Sequence, residues 1–561
     1  MLTVKEELTT ALLNALQEAR SSGEIDFAEI PRFVVERPPH RSFGDYATNL
    51  AMMLGKQMKR DAIEVANIIV KHLKFDMSLV ERVEVAGSGF INFYLRSGWL
   101  WDVVRQVINE GERYGHCNIG MGEKVQVEFV SANPTGPLHL GHGRGGVLGD
   151  SISRLLEAVG FKVEREFYIN DAATSAQMRK FGQSLEARYR ELLGLPAQFP
   201  EDGYKGEYVI EMAKELLRER GDEYLRIPEQ ERVAKFMALS KERMLRKQKE
   251  VLERFGIRMD NWVSEQWLYD EGRVKEAIDR LISSGYTYEH EGAIWLRSTA
   301  FGDDKDRVLV RADGVPTYLA ADVAYHIYKY ERGFKKIINI WGPDHHGYVM
   351  RLKAALQALG YDVSKLHIIV YQIVRLLKDG ELVPMGKREG EMTTLEDVIK
   401  WVGVDATRFF LLMRSPDSPV DFDLTLAAKQ SQENPVYYVQ YAHARACSIF
   451  RQASIERHPA LTIPKEQVDL SLLTHPSEQL LMREIADLPD VVMEAATHFE
   501  PHRLTSYAYQ LATAFHGFYT SCRVLCDDER LSSARLMLTN AAKIAIRNVL
   551  SLMGISAPTQ M

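Results

Sequence analysis

Apolar residues in the first hundred positions change from helical to alternating spacing. Over Val4–Arg20 they recur every three or four residues, which predicts an amphipathic helix. Arg82–Val85 and Phe90–Leu95 alternate as strands do, and Gly87-Ser88-Gly89 between them suits a turn. Two further helices are expected at Tyr46–Lys59 and Ala62–Leu73. The pattern predicts a small α/β domain over residues 1–110.

From Lys124 to about Lys400, strand-like and helix-like segments alternate along the chain. Such alternation is typical of a parallel sheet covered by helices on both faces. A charged, helix-rich stretch over residues 193–255 interrupts it and is predicted to be an insertion. The expected strands are Lys124–Val130, Lys162–Tyr168, Ala293–Arg297, Lys336–Trp341 and His367–Tyr371, and the expected helices are Gly143–Val159, Ala172–Tyr189 and His345–Leu359. The sequence therefore predicts a Rossmann-type domain over residues 111–395.

After about Leu395 the strand-like spacing ends, and helical spacing continues to Met553. We therefore expect a separate, all-helical domain over residues 396–561. The predicted fold class is α/β, with a Rossmann-type parallel-sheet domain between an N-terminal α/β domain and the helical C-terminal domain. At roughly 150 residues per domain, a chain of 561 residues has the length for three or four domains.

Composition narrows the function classes without choosing among them. Hydrophobic residues make up 46% and charged residues 26%, as in soluble globular proteins. No apolar stretch approaches the roughly 20 residues that cross a membrane, and the first residues lack the order of a signal peptide. We expect a cytoplasmic monomer with no membrane partner. The four cysteines are Cys117, Cys447, Cys522 and Cys526. They do not form the two close pairs of a zinc site, so we expect reduced thiols and no structural zinc.

The net charge of −7 does not by itself indicate a nucleic-acid binder, so a polyanion must meet a local basic surface. The basic residues of Lys241–Arg254, on an expected long helix, are one candidate surface. Glutamates are interleaved with them, so a solvated helix face with paired charges is an equally good interpretation.

The clearest chemical signal follows the strand at Lys124–Val130, where a helix is expected to begin. His139 and His142 stand three residues apart, with Gly141 between them and Gly143 after them. A helix N-terminus offers N–H groups and partial positive charge to phosphate, and two imidazoles on one face can donate hydrogen bonds to it. The spacing therefore indicates a triphosphate site. The alternative is a glycine-rich turn with two incidental histidines, which the strand-loop-helix setting disfavours.

Glu128 and Asn133 stand at the end of the strand that leads into the histidine segment. Ligands of an open parallel sheet bind outside the carboxyl ends of its strands, so both side chains are expected at the mouth of a pocket. A surface carboxylate without a ligand is an equally good interpretation of Glu128. A second candidate segment, Lys378–Gly390, is a polar, glycine-rich loop between the sheet and the helical domain.

These segments resemble a known family. His139–His142 resembles the HIGH motif of class I aminoacyl-tRNA synthetases, and Met385–Arg388 resembles their KMSKS loop. The loop departs from the pattern, because Pro384 stands in place of its first lysine and Gly386 in place of its serine. Further segments along the chain are similar to bacterial arginyl-tRNA synthetases, namely Phe43–Asn49, Glu128–His142, Tyr318–Asp322, Trp341–Tyr348 and Val404–Leu411.

The resemblance implies an arginine–tRNA ligase that makes arginyl-adenylate from L-arginine and ATP with Mg²⁺, then transfers arginine to the 3′-terminal adenosine of tRNA(Arg). It also implies that activation requires bound tRNA. Carboxylates suit this substrate, because a guanidinium has five N–H donors. The catalytic residues would be His139, His142 and Lys387. The arginine site would comprise Glu128, Asn133, Tyr318, Asp322 and His346, and the ATP site His139, Gly141, His142, Gly143, Met385, Lys387 and Arg388.

Two regions are expected to contact tRNA. Asp45 and Asn49 lie in a segment that resembles the tRNA-contacting N-terminal domain of the family. In the C-terminal domain, Tyr437, Tyr441 and Arg445 are suited to stacking on splayed anticodon bases. Packing between helices is the alternative for these aromatic residues.

Two other functions share parts of the pattern. A nucleotidylyltransferase also uses HxGH at a strand-helix turn, but it would leave the helical domain and the lysine loop unexplained. A synthetase-like RNA-binding protein without activity would have no need of His139, His142, Lys387 and two candidate carboxylates. Pyrophosphate exchange with arginine and tRNA distinguishes all three.

Overall fold

The computed structural model describes residues 4–38, 40–75, 79–383 and 393–561. Its N-terminal part packs helices against an antiparallel sheet with strand order β1-β2-β4-β3. The elements are α1 (Val4–Ser21), β1 (Val35–Glu36), β2 (Tyr46–Thr48), α2 (Leu50–Met58), α3 (Ala62–His72), β3 (Val80–Ala86), β4 (Phe90–Leu95) and α4 (Gly98–Glu110). The helix predicted to begin at Tyr46 begins later, at Leu50. Tyr46–Thr48 instead form β2, which pairs with β4 and is buried.

The central part contains a parallel sheet with strand order β12-β11-β5-β6-β7. Val125, Gln126 and Val127 of its central strand are all buried, as expected for a strand covered on both faces. Its elements are β5 (Lys124–Glu128), α5 (Leu140–Ala158), β6 (Lys162–Ile169), α6 (Ala176–Leu192), α7 (Glu207–Arg220), α8 (Glu229–Arg254), β7 (Asn261–Ser264), α9 (Glu265–Asp270), α10 (Arg273–Ser283), β8 (Thr287–His290), β9 (Ala293–Leu296), β10 (Arg307–Val310), α11 (Tyr318–Glu331), β11 (Lys336–Trp341), α12 (Val349–Ala358) and β12 (Leu366–Val370).

One strand expected in the parallel sheet belongs elsewhere. The prediction at Ala293–Arg297 is correct as a strand, but β9 lies between β8 and β10 in a separate antiparallel sheet. Glu291 and Gly292 both have positive φ, 49° and 74°, as a two-residue hairpin turn requires. The turn therefore directs β9 back along β8 and not into the parallel sheet.

Helices α6, α7 and α8 form a unit between two neighbouring strands of the parallel sheet, β6 and β7. Their apolar faces pack around a core of their own that includes Phe181, Met212 and Phe236. The helical unit therefore begins at α6, earlier than residue 193. The basic residues of α8 are mostly paired within the protein, for example Lys241 with Asp171 and Arg254 with Glu396.

A small sheet missed by the sequence pattern follows the parallel sheet, with strand order β14-β13-β15. Its strand β15 lies where only helices were expected, so the all-helical prediction from residue 396 is wrong at this point. Val420 and Phe422 are buried, and four residues between helices are too few for a recognisable alternation. The elements are β13 (Val374–Lys378), β14 (Glu381–Val383), α13 (Leu395–Val402), α14 (Val404–Leu412), β15 (Val420–Asp423) and α15 (Leu424–Ala427).

The remaining helices pack on one another and on the rest of the chain. One hydrophobic core runs from α1 through the parallel sheet to these helices, and includes Leu8, Phe129 and Leu511. The helices are α16 (Pro435–Ile455), α17 (Pro476–Ala486), α18 (Leu488–His498), α19 (His502–Ser521) and α20 (Glu529–Leu552). Across the described ranges, every helix is too short or too polar to cross a membrane.

Candidate active site

The two histidines meet at the N-terminus of α5, as their spacing predicted. His139 caps the helix, and its Nδ1 accepts a hydrogen bond from the backbone N–H of His142 at 3.2 Å. Nδ1 of His142 accepts from the backbone N–H of His139 at 3.3 Å, and the two rings stack with centroids 3.6 Å apart. Because Nδ1 is an acceptor in each ring, the proton of each neutral imidazole is on Nε2. The two rings therefore present N–H donors from one helix end.

The glycines of this motif have different surroundings. A Cβ on Gly141 would lie 2.9 Å from Cε1 of His139, so glycine lets the imidazole lie against the first turn. Gly143 is buried, and a Cβ there would lie 2.7 Å from Cδ1 of Leu395. The backbone N–H of Leu395 donates to the carbonyl of Leu138 at 2.8 Å. Gly143 thus permits close packing of the histidine helix against the start of α13.

The second candidate segment, Lys378–Gly390, is described only as far as Val383. Met385, Lys387 and Arg388, together with Pro384 and Gly386, lie outside the described residues. On the N-terminal side β14 ends at Val383. On the C-terminal side Thr394 forms a β-bridge with His139, which attaches the chain seven residues after Lys387 to the histidine motif.

Glu128 is a buried carboxylate, so its interpretation as a surface residue is wrong. It ends β5 with 4% of its surface exposed. Its Oε2 lies 2.5 Å from Nζ of Lys329, and its Oε1 accepts a hydrogen bond from Oγ of Ser131 at 2.9 Å. Lys329 is fully buried and also donates to Oδ1 of Asn339 at 2.8 Å. The candidate arginine site therefore already contains one internal cation, which the sequence pattern did not indicate.

The backbone turns sharply where β5 ends. Val130 and Ser131 have φ of 69° and 37°, a left-handed region that a β-branched residue rarely adopts. The turn directs the hydroxyl of Ser131 back to Glu128, and that oxygen also accepts from the backbone N–H of Tyr168 at 3.1 Å. Such strain costs about 1–3 kcal/mol and occurs at sites where the surrounding structure holds it.

Asp322 lies in the second turn of α11, close to the charged pair at the end of β5. Its carboxylate accepts a hydrogen bond from the hydroxyl of Tyr348, and its backbone carbonyl accepts one from Nδ1 of His326 at 2.7 Å. Burial raises the pKa of Asp322 to about 7, and the charge of Glu128 adds to the rise, while the Tyr348 hydroxyl and Lys329 oppose it. The carboxyl group is therefore short of positive partners.

The other predicted arginine-site residues lie at more open positions. Tyr318 is 69% exposed and precedes Asp322 by one helical turn, which puts both on one face of α11. Asn133 is exposed, and its Nδ2 donates to Oε1 of Gln177 at 3.0 Å. His346 is exposed in a 3₁₀ turn, Pro343–Tyr348, that precedes α12. The structure thus groups Glu128, Tyr318 and Asp322 around the carboxyl ends of the strands.

Sequence reasoning missed a further acid at this edge of the sheet, Glu265. It directly follows β7 and is 4% exposed. Burial raises its pKa to about 7, helped by the charges of Asp322 and Asp171 and opposed by the backbone N–H of Ala172. The rule that ligands bind at the carboxyl ends of parallel strands would have found it, but a four-residue strand was not recognised.

The two residues proposed from the N-terminal domain make contacts within the protein. Oδ2 of Asp45 accepts from the backbone N–H of Leu95 at 2.9 Å, and its Oδ1 pairs with Arg483 of α17 at 2.9 Å. Asn49 precedes α2, and its Oδ1 accepts from the backbone N–H of Val34 at 3.0 Å. Asp45 therefore joins the N-terminal sheet to the C-terminal helices.

The three residues proposed from the C-terminal domain share one face of α16. The rings of Tyr437 and Tyr441 are nearly parallel, with centroids 6.1 Å apart. Arg445 donates to the hydroxyl of Tyr441 at 2.9 Å and lies over the rings of Tyr441 and Tyr519. Tyr441 and Arg445 line an open cavity of about 1100 Å³ to which Arg451 and Arg523 add charge. Its aromatic and basic walls suit an unstacked base and its phosphate.

Three family models match successive parts of the chain. They are described as the arginyl tRNA synthetase N-terminal domain (residues 6–95), the catalytic domain of class I (R) tRNA synthetases (residues 103–409) and the DALR anticodon-binding domain (residues 439–561). The chain is 51% identical to an arginine–tRNA ligase of Moorella thermoacetica, with 99% of each chain covered. It is 48% identical to an arginine–tRNA ligase of Heliobacterium modesticaldum, with 100% of this chain and 99% of that one covered.

The fold is similar to that of a solved relative. The Thermus thermophilus arginyl-tRNA synthetase has a TM-score of 0.77 with this chain at 24% identity, and 100% of both chains is covered. The fold class expected from the sequence is thereby confirmed. With family models along most of its length and close relatives matched from end to end, the chain belongs to the arginine–tRNA ligase family.

Proposed function

We propose that the chain activates L-arginine with ATP and transfers it to the 3′-terminal adenosine of tRNA(Arg). One observation carries the proposal. Carboxylates without enough nearby cations, Asp322 above all, lie at the same edge of the sheet as the paired histidines of α5. A cationic side chain and a triphosphate would meet at this edge.

The acidic side of the site suits a guanidinium. Glu128 and Asp322 supply carboxylate oxygens, and Tyr318 supplies a hydroxyl from the same face of α11 as Asp322. A planar cation with five N–H donors can satisfy several of these oxygens at once. Asn133 would hold the α-amino end of the substrate, and His346 is proposed at the rim.

The histidine side of the site suits ATP. The Nε2–H groups of His139 and His142 would donate to phosphate oxygens. Gly141 leaves room for the His139 ring, and Gly143 lets the helix pack closely against Leu395. Met385, Lys387 and Arg388 are proposed to join them, and Mg²⁺ would accompany the triphosphate. The arginine carboxylate would attack the α-phosphorus of ATP in line, and pyrophosphate would leave to give arginyl-adenylate. A tRNA ribose hydroxyl would then take the arginyl group from the adenylate as AMP leaves. No covalent enzyme intermediate is needed.

The remaining regions are proposed to hold tRNA. The cavity beside Tyr441 and Arg445 would take an anticodon base, with Tyr437 stacking next to it. Asp45 and Asn49 would contact tRNA from the N-terminal domain. We propose the domain borders 1–110, 111–395 and 396–561, a monomer, and a cytoplasmic location.

Aminoacylation of total tRNA with each of the twenty amino acids tests the proposal. We expect charging with arginine alone, and ATP–pyrophosphate exchange that depends on both arginine and tRNA. Charging with another amino acid, or exchange with no tRNA product, would contradict it. The second result would favour a nucleotidyl-transfer enzyme, and absence of both reactions would favour an RNA-binding protein without activity.

A further inference from the structure

Tyr168 has a buried hydroxyl for which the described residues provide no hydrogen-bond partner. The residue is 5% exposed, and its Oη is shielded from solvent. Buried polar groups in folded proteins are nearly always hydrogen-bonded, because an unmet donor loses its water without replacement. An unpartnered buried hydroxyl therefore points to a ligand that the described residues do not include.

The hydroxyl of Tyr168 lies among the acids of the candidate arginine site. Tyr168 is near the carboxyl end of β6, between β5 and β7, and its ring stacks on Tyr325 with centroids 4.2 Å apart. Burial raises the pKa of its hydroxyl well above the usual value, and the nearby charges of Glu265, Asp322 and Glu128 add to the rise. The phenol therefore faces the space that these carboxylates surround.

Glu265 differs from the neighbouring acid Asp171 in its partners. The carboxylate of Asp171 accepts from Oγ of Ser264 at 2.8 Å and pairs with Nζ of Lys241 at 3.0 Å. Glu265 is equally buried, yet among the described residues it forms no ion pair. Its position directly after β7 brings it to the same strand-end edge as Glu128 and Tyr168.

We propose that Glu265 and the hydroxyl of Tyr168 are specificity-determining residues that complete the guanidinium site beyond Glu128, Tyr318 and Asp322. The inference rests on the proposed function and adds to the site a buried phenol and a carboxylate that forms no ion pair with the described residues. Glu265 accepts hydrogen bonds from N–H groups of the cation, and the Tyr168 hydroxyl oxygen accepts a hydrogen bond from another N–H group. A neutral isostere such as citrulline leaves the carboxylates without a cation and is rejected.

Tyr168→Phe tests the role of the hydroxyl, which forms no hydrogen bond with the described residues that the substitution could remove. We expect the Tm to be unchanged or higher, and the arginine KM to rise by about 3- to 10-fold, as for loss of one neutral hydrogen bond. The ATP KM should stay within about twofold, well short of the effect of one hydrogen bond. Tyr189→Phe is the matched control, because its buried hydroxyl donates to the carbonyl of Gly221 in the helical unit. It should lower the Tm and leave the arginine KM unchanged.

Glu265→Gln tests the carboxylate. We expect about a 10- to 100-fold rise in the arginine KM, the range for a charged hydrogen bond, and a similar fall in the ratio of arginine to citrulline activation. Glu478→Gln is the control, because Glu478 is also buried near a helix start but pairs with Arg535 in the C-terminal domain. It should lower the Tm and leave the arginine-to-citrulline ratio unchanged.

The outcomes separate this inference from the proposed function. If the unaltered protein charges no arginine, the function is wrong. If it charges arginine while Tyr168→Phe keeps the original arginine KM, the inference is overturned, even if Glu265→Gln fails to fold. A folded Glu265→Gln variant with unchanged arginine-to-citrulline discrimination would overturn it as well.

Discussion

Two clusters of buried charge in this protein differ in how completely they are paired. The junction cluster consists of Asp150 on α5 and Arg408 on α14, both with no more than 2% of their side chains exposed. Arg408 pairs with Asp150 and donates to the backbone carbonyls of Met553 at 2.8 Å and Phe255 at 2.9 Å. Its three nitrogens thus connect α5, α14, the end of α8 and the end of α20.

The pocket cluster consists of Glu128, Lys329, Asp322 and Glu265 at the strand ends. Lys329 supplies a positive charge for Glu128, while the pKa values of Asp322 and Glu265 are raised to about 7. The junction cluster holds domains together because its charges are satisfied internally. In the pocket cluster the negative charges outnumber the positive ones. This lowers the stability of the protein without ligand and favours binding of a cationic ligand.

Removing the cation of the junction cluster should have the largest effect. Arg408→Met leaves the buried Asp150 with its outer partner Arg154 at 2.8 Å and the more distant Arg165 at 4.0 Å. We therefore expect the free energy of unfolding in urea to fall by about 3–5 kcal/mol. Arg154→Ala, which removes the outer partner of the same carboxylate, should cost less than about 1 kcal/mol. Equal losses for the two variants would show that the junction cluster is not the structural link described.

Removing the cation of the pocket cluster should have a large effect that arginine reverses. Lys329→Met leaves Glu128 buried without its ion pair, and we expect the free energy of unfolding to fall by about 3 kcal/mol. Bound arginine would then supply the missing positive charge. The rise in Tm on adding arginine should therefore be larger for the variant than for the unaltered protein, and a smaller rise would argue against a shared site.

Asp322→Asn should separate binding from stability. We expect the arginine KM to rise by about 100-fold, since a charged hydrogen bond is lost, while the ATP KM changes by less than about threefold. The free energy of unfolding at pH 7.5 should stay the same or increase. The reason is that a carboxyl with a raised folded pKa opposes folding once the pH exceeds its unfolded pKa. Equal losses for arginine and ATP would mean that the role of Asp322 is misassigned.

The smallest expected effect is a pH dependence of arginine binding. Asp322 and Glu265 bind protons in the folded state up to about pH 7, so the stability of the empty protein should fall as pH rises from roughly 4 to 7. Arginine favours the charged carboxylates, so it should raise the Tm more at pH 8 than at pH 6. The groups that face these two acids are Glu128, Tyr168, Asp171, Tyr269, Tyr318, Lys329 and Tyr348. An arginine effect on Tm that is independent of pH would contradict the raised pKa values.

The sequence by itself determined the features that depend on local patterns. Alternating strands and helices predicted the parallel sheet, and the spacing of His139 and His142 predicted their meeting at a helix end. The segment resemblances also predicted the family, which the relatives confirm. Periodicity, capping and motif spacing are visible within about 20 residues of sequence, which is the range over which such signals act.

The tertiary structure alone decided which charges are paired. Lys329 follows Glu128 by 201 residues, and the sequence around neither residue predicts that the two form an ion pair. Other features depend in the same way on neighbours that are distant in sequence. They are the missing hydrogen-bond partner of the Tyr168 hydroxyl among the described residues, the burial of Glu265 and the strand β15. Burial and pairing are properties of the assembled core, because desolvation depends on everything packed around a group and not on its own segment.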